Sequence, residues 1–352
     1  MRAKRSSKRD DYIESLGGAA DADLLSRYAC RVTENVSASI QGDVHDDPIA
    51  KQYIPTRAEL DVQASELDDP IGDYAHTPVK GIVHRYPDRV LFKPANVCAV
   101  YCRYCFRREM VGPKAASEPD ILNAEERDAA LDYIAAHPEI WEVILTGGDP
   151  LVLSPKHMTE IMSRLASIEH VKIVRFHTRV PIADPARVTD DLCSALVKAP
   201  QALYMALHIN HAQEITSDVR AAIARLRGAG VQLVSQSVLL RGVNDDAQAL
   251  EDLYRALLAL SVQPYYLHHP DLAPGTAHFR LPIAEGLGLV RALRGRLSGL
   301  CQPRYMLDIP GGYGKIDLNS DAIKAADIDG HYMVRDYKGR SHLYPPIVKK
   351  EG

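Results

Sequence analysis

The chain has 352 residues, 46% of them apolar and 25% charged, an ordinary globular composition with enough sequence for one large domain or two smaller ones. Its 42 lysines and arginines against 46 acidic residues leave a formal charge of -4, so no overall field recruits nucleic acid or an anionic membrane. No apolar run approaches the length of about 18 residues that a membrane span needs, and the basic start MRAKRSSKRDDYIESLGG lacks the apolar segment of a secretory signal, so the expected location is the cytoplasm.

In chain order, the basic start is followed by two expected helices, around Asp21 to Cys30 and Arg57 to Asp68, separated by the polar stretch GDVHDDPIAKQYIP. Residues 1–78 therefore read as a helical lead-in region. From Gly81 short apolar runs recur, each followed by a segment of helical length. RVLFKPANV, WEVILTGGDP, HVKIVRFHTRVP, ALYMALHINH, VQLVSQSVLLRG, VQPYYLHHP and RYMLDIPGG read as strands. AEERDAALDYIAAHP, LSPKHMTEIMSRLASIE, ITSDVRAAIARLRGAG and a segment centred on Leu287 to Leu297 read as amphipathic helices. Strands alternating with helices predict a parallel sheet with right-handed crossovers. Such units curl into a full or partial barrel, and the strand ends TGGD, FHTR, HINH, SQS and LHHPD then share one mouth. The competing arrangement is a doubly wound open sheet. The expected core runs over 79–318, and the polar, aromatic tail 319–352 is a short C-terminal extension of unreadable fold.

Three of the six cysteines, Cys98, Cys102 and Cys105, fall in CAVYCRYCFRR with the spacing C-x3-C-x2-C. Thiolates select zinc or iron–sulfur clusters. Structural zinc wants four protein ligands, and only three are local; Cys30, Cys193 or Cys301 would have to supply another. A cubane cluster held by three thiolates leaves one iron open for chemistry, and the spacing favours that reading. Arg103, Arg107 and Arg108 stand beside the thiols, where they offset negative charge and influence the cluster's potential.

The cysteine loop resembles the cluster motif of radical S-adenosylmethionine (SAM) enzymes. The resemblance implies that the SAM amine and carboxylate chelate the open iron of a [4Fe-4S] cluster, and that one electron, from a reductant such as flavodoxin or ferredoxin, releases a 5′-deoxyadenosyl radical. TGGDP then looks like the glycine-rich strand end that meets SAM, with Gly147, Gly148 and Asp149 as binding residues, and the resemblance extends to His208 as a cofactor contact. His211 reads as a core or hydrogen-bonding residue.

LDIPGGYGKIDL supplies a second constellation, a glycine-rich turn ending in Lys315. It lacks the hydroxyl residue of a nucleotide P-loop, because Ile316 follows the lysine; on its own it is an ordinary surface turn. With the cysteine loop it is similar to the lysine 2,3-aminomutase family, a likeness running from about His84 to Leu318 through HRYPDRVL, HINHAQEIT, QSVLLRGVND and PYYLHHPDL. That resemblance implies a partial (β/α) barrel of the radical SAM type with an N-terminal helical extension. It also implies that Lys315 carries pyridoxal 5′-phosphate (PLP), that Arg85, Tyr86 and Arg89 lie near its phosphate, that Arg107 takes the substrate carboxylate, and that Asp271 and Asp308 receive a side-chain ammonium. Two carboxylates in a closed pocket favour L-lysine and repel glutamate. The implied reaction interconverts α-lysine and β-lysine; an aminomutase acting on glutamate or arginine, and a non-enzymatic iron–sulfur protein, are the alternatives.

The chain departs from the long members of that family. Asp246 stands where they carry a zinc-binding cysteine, the tail DGHYMVRDYKG has no thiol, and Tyr104 replaces a histidine in the cysteine loop. Structural zinc is thus in doubt, while a simple homodimer is still expected. Short members make (R)-β-lysine for attachment to translation elongation factor P.

Overall fold

The computed structural model describes residues 24, 27, 28, 30–112 and 121–346. Its centre is a nine-stranded sheet in strictly sequential order, β1 (Ile82–Tyr86), β2 (Arg89–Ala95), β3 (Glu142–Gly147), β4 (Ile173–Thr178), β5 (Ala202–His208), β6 (Gln232–Val238), β7 (Gln263–His268), β8 (Arg304–Ile309) and β9 (Gly314–Asp317). Strands β2 to β8 pair in parallel, and antiparallel partners close each flank. A doubly wound sheet would reverse its strand order at a switch point. This order never reverses, so the sheet curls into a partial barrel as expected. Among the described residues β1 and β9 share no ladder, yet the Lys315 amide donates to Tyr86 Oη at 2.9 Å across the gap.

All seven strands read from apolar runs are present, while β1 and β9 lie inside stretches read as motif and turn. The short helices α1 (Glu34–Ser39) and α2 (Ala50–Tyr53) precede the sheet. Six helices then cover it: α3 (Ala124–Ala136), α4 (Pro155–Ala166), α6 (Asp190–Leu196), α7 (Ser217–Gly228), α8 (Ala247–Ala259) and α9 (Ile283–Leu293), with the short α5 (Val180–Ala183) after β4. Their starts are written locally. Asn123 and Glu126 form a reciprocal capping box on α3, Ser154 caps α4 ahead of Pro155, and Thr216 caps α7. Asp246 caps α8 by accepting from Gln248 and Ala249. Its carboxylate is spent on the helix, so this position serves folding.

The expected helix over 21–30 lies mostly outside the described residues. The one expected from Arg57 to Asp68 is corrected to a single 3-10 turn, Arg57–Leu60. No apolar stripe sustains it: Leu60 and Val62 are exposed, while Glu59 turns inward as a buried ion-pair partner. The unreadable tail forms a three-stranded antiparallel sheet, β10 (Ile323–Ala325), β11 (Tyr332–Arg335) and β12 (Ser341–Tyr344). Among the described residues no helix is long and apolar enough to cross a membrane.

The main apolar core lies between sheet and helices, where Val174 and Phe176 of β4 and Leu233 of β6 are buried. The alternate residues of those strands, Arg175, His177 and Gln236, face the barrel's interior together with His268 of β7, and that interior is a cavity of about 620 Å³.

Candidate active site

The cavity runs from the cysteine loop to Lys315. Its wall includes all three loop thiols, Arg107, Gly147 to Asp149, His208, Asp271, Asp308, Arg85, Tyr86, Arg89 and Lys315. The residues expected to hold cofactors and substrate therefore meet in one place, although 217 positions separate Cys98 from Lys315, while Arg103, Arg108, His211 and Asp246 lie outside the cavity wall.

At the cysteine end the thiols are free and half-buried. Burial, reinforced by Cys102, pushes the Cys105 thiol up to about 11, so it stays protonated unless a metal cation takes the proton's place. Among the described residues no three such side chains converge tightly enough to hold a single metal ion. That spacing does not suit tetrahedral zinc, and the all-thiol donor set fits a cluster in which each thiolate takes a different iron.

The glycines after β3 explain how the loop reaches its position. A Cβ on Gly148 would lie 2.2 Å from the Val97 carbonyl oxygen, and one on Gly147, where φ is +116°, would lie 2.4 Å from that of Ala95. Gly148 N–H donates to Ala95 and Asp149 N–H to Val97 at 2.7 and 2.9 Å. The close approach these glycines permit is thus to the base of the cysteine loop itself. Asp149 accepts from Leu151 N, Thr178 Oγ1, Arg179 N and Val180 N, so its carboxylate positions the loops after β3 and β4.

The loop arginines have protein partners. Arg103 and Arg108 both pair with buried Glu59, and Arg107 Nε donates to Asp73 Oδ2 at 2.8 Å. Asp73 also receives Arg85 at 3.3 Å and Lys93 at 3.5 Å. Burial alone would raise the Asp73 carboxyl, but Arg107, Lys93 and Arg85 outweigh it and hold it at about 2. Arg179 Nη1 lies 3.6 Å from Cys102 Sγ. Arg179 also bonds Glu214, Tyr104 and Gln52, and Tyr104 Oη contacts His208 Nε2 at 3.0 Å. The loop arginines act on the thiols as well, Arg107 and Arg108 opposing the rise that burial gives Cys105, while carboxylates from the lead-in region pair with them.

At the other end, Lys315 Nζ pairs with Asp308 Oδ2, and Asp308 Oδ1 is buried with no hydrogen-bond partner. The Asp271 carboxylate has no hydrogen-bond or ion-pair partner among the described residues; burial, then the nearby Asp308, push it up to about 8. Burial also lowers His268 to about 3, leaving it neutral beside Asp308. Arg85 Nε is buried without a partner, and the Arg89 guanidinium lies 3.8 Å from the centroid of the Tyr86 ring. An amine, unspent guanidinium donors and a phenol at one end of a cavity fit an aldehyde-bearing phosphate ester such as PLP.

Residues 92–254 match the Radical SAM superfamily. The chain is 40% identical over 294 residues to an L-lysine 2,3-aminomutase of Clostridium subterminale, covering 84% of this chain and 69% of that one. The chain belongs to the lysine 2,3-aminomutase family. Within that family it is also 37% identical over 316 residues to an L-lysine 2,3-aminomutase of Escherichia coli (strain K12), covering 88% of this chain and 91% of that one. A glutamate 2,3-aminomutase of Clostridioides difficile (strain 630) is 37% identical over 333 residues, covering 95% of this chain and 75% of its own. Motif reading missed Arg179 and Tyr337 in the cavity wall, and Asp73, Glu59, Gln52 and Glu214, which bond the arginines around it. The acidic run from Glu59 to Asp73 was the available signal, since three neighbouring arginines ask for partners.

Proposed function

We propose that this chain is a lysine 2,3-aminomutase that moves the 2-amino group of L-lysine to carbon 3, interconverting α-lysine and β-lysine. The observation that carries the reading is one cavity that joins the three thiols to Lys315, Asp271 and Asp308. When bound, the [4Fe-4S] cluster with SAM supplies a hydrogen-abstracting radical, and PLP supplies the conjugated system across which nitrogen migrates.

The chain's residues have the following parts. Cys98, Cys102 and Cys105 hold the cluster, with Arg179 donating toward Cys102. Gly147, Gly148 and Asp149 fix the floor under that loop, and His208, made neutral chiefly by burial, offers a hydrogen-bonding ring to SAM without adding charge. Lys315 holds PLP through its amine, and Arg85 and Arg89 meet the phosphate. Asp308, whose Oδ1 has no partner among the described residues, and Asp271 would together receive a substrate ammonium. Arg107, kept in place by Asp73, presents its other nitrogen atoms to the substrate carboxylate. The enclosed wall excludes water and orients one carbon toward the radical. The electron comes from a one-electron reductant such as flavodoxin or ferredoxin. On the family resemblance alone we extend the proposal to (R)-β-lysine as the product, the compound that short members attach to elongation factor P.

A glutamate substrate is the second reading, because a relative bearing that activity covers so much of the chain. A pocket lined by both Asp271 and Asp308 disfavours it. Anaerobic protein reconstituted with iron, sulfide, PLP, SAM and dithionite is incubated with single amino acids, and products are resolved by chiral chromatography and mass spectrometry. Conversion of lysine to β-lysine supports the proposal; conversion of glutamate with lysine untouched overturns it.

A further inference from the structure

The C-terminal sheet has a feature that the reaction does not by itself require. The turn between β11 and β12 is tightly built: the Asp336 carboxylate accepts from Lys338 N, Arg340 N, Arg340 Nε and His342 Nε2 at 2.9 Å each. This turn carries Tyr337 into the wall of the catalytic cavity. The Tyr337 ring lies 5.3 Å from the Tyr86 ring, centroid to centroid, and its hydroxyl donates to the Arg85 carbonyl at 3.4 Å. Tyr86 is the residue over which Arg89 stacks and whose hydroxyl accepts the Lys315 amide.

The same hairpin also grips the Lys315 turn from its other side. His342 stacks on Tyr313 at 4.0 Å, and the Arg340 guanidinium lies 5.2 Å from the Tyr313 centroid. Between the two contacts sits Gly314, where φ is +94° and an added Cβ would lie 2.8 Å from Tyr86 Oη and 3.4 Å from Tyr337 Cδ1. The two residues that lead into Lys315, and Tyr86 across from it, are therefore in contact with one hairpin.

We propose that the hairpin of β11 and β12 is a clamp for the lysine end of the cavity. Tyr337 is its positioning residue: through Tyr86 it fixes the Arg89 guanidinium that meets the phosphate of PLP. This rests on the reading of Lys315 given above. Aromatic pairing of Tyr337 with Tyr86 limits the phenol's motion, and the stacked guanidinium moves with it. The clamp acts on the phosphate through Arg89, whereas the aldehyde is captured by Lys315 directly. Loss of Tyr337 therefore weakens PLP more than pyridoxal, which has the same aldehyde and no phosphate.

The test titrates cluster-loaded protein with PLP and separately with pyridoxal, following the visible absorbance of the lysine-bound chromophore. Tyr337→Ala is expected to weaken PLP about five- to tenfold and pyridoxal by less than twofold, with the iron–sulfur absorbance unchanged. Tyr337→Phe keeps the ring and is expected to bind PLP as the parent does. Equal PLP affinity in Tyr337→Ala and parent overturns the clamp, as does an equal loss for the two ligands, which would mark Tyr337 as a general wall residue. Parent protein that takes up PLP while Tyr337→Ala is unaffected sinks only the clamp; parent protein that forms no chromophore sinks the reading of Lys315 as well.

Discussion

The two ends of the cavity treat charge in opposite ways. Around the cysteine loop, Arg103, Arg107, Arg108 and Arg179 each have a buried carboxylate partner, and those acids come from the lead-in region and from Glu214. At the lysine end, Asp271 has no such partner among the described residues, Asp308 leaves one oxygen unsatisfied, and Arg85 and Arg89 keep unspent donors. Buried charge is tolerated when it is paired and is costly when it is not. Among the described residues, unpartnered guanidinium nitrogens occur at both ends, Arg108 Nε and Arg179 Nε at the first and Arg85 Nε at the second. The contrast therefore lies in the carboxylates: those of the first end are paired before any ligand arrives, and those of the second are left for a ligand to complete.

The sharpest way to break this contrast is at the thiols. Cys102→Ala is expected to abolish the broad iron–sulfur absorbance and all turnover, checked by iron and sulfide analysis of anaerobic protein. Lys315→Ala should retain iron and sulfide in full yet lose the visible chromophore of bound PLP, with kcat falling about a thousandfold or more; a variant that keeps the chromophore would place PLP elsewhere.

Asp73→Asn tests the end whose carboxylates are paired. It leaves Arg85, Lys93 and Arg107 facing one another without their carboxylate, and the loss of stability should be about 3 kcal/mol, read from denaturant unfolding. The sign with pH follows from the lowered carboxyl. Its stabilisation is present above the unfolded aspartate value of about 4 and is lost as pH falls towards the folded value of about 2. The parent's melting temperature should therefore drop between those limits more steeply than that of Asp73→Asn.

Asp271→Asn tests the open end and should raise the KM for lysine about 30-fold, equivalent to ~2 kcal/mol of a charge-assisted contact. Asp271 is protonated below about 8 and ionised above it. A cationic side chain binds the ionised form, so kcat/KM for lysine in the parent should rise with pH through that region. The rise should vanish in Asp271→Asn; a profile shared by both proteins would remove Asp271 from the ammonium pocket.

The parts of the molecule legible in the sequence share a local cause. Buried parallel strands such as WEVILTG and ALYMALH are apolar over their whole length, and helix caps such as Asn123 with Glu126 are written within a few residues. The cysteine spacing and the lysine after glycines were visible for the same reason. Glu59 was not, because the signal for it as a helical residue is also local: it joins Thr56 in a capping box while its carboxylate reaches Arg103, 44 positions away. Asp73 reads as one acid among many until the fold brings Arg85, Lys93 and Arg107 around it. Strand β9 was hidden by Gly314 and its short length, and Tyr337 by a tail with too little periodicity to assign.

The phenol-to-amide contact between Tyr86 and Lys315 gives the barrel a seam. Along most of its circumference neighbouring strands are zipped by main-chain ladders, and parting any of them would strand buried peptide groups. Along the seam, β1 and β9 part at the cost of that contact and the Tyr337 ring packed beside it. A cofactor held by Lys315, as proposed, would sit on this seam, the line where two flanking strands meet without a main-chain ladder among the described residues.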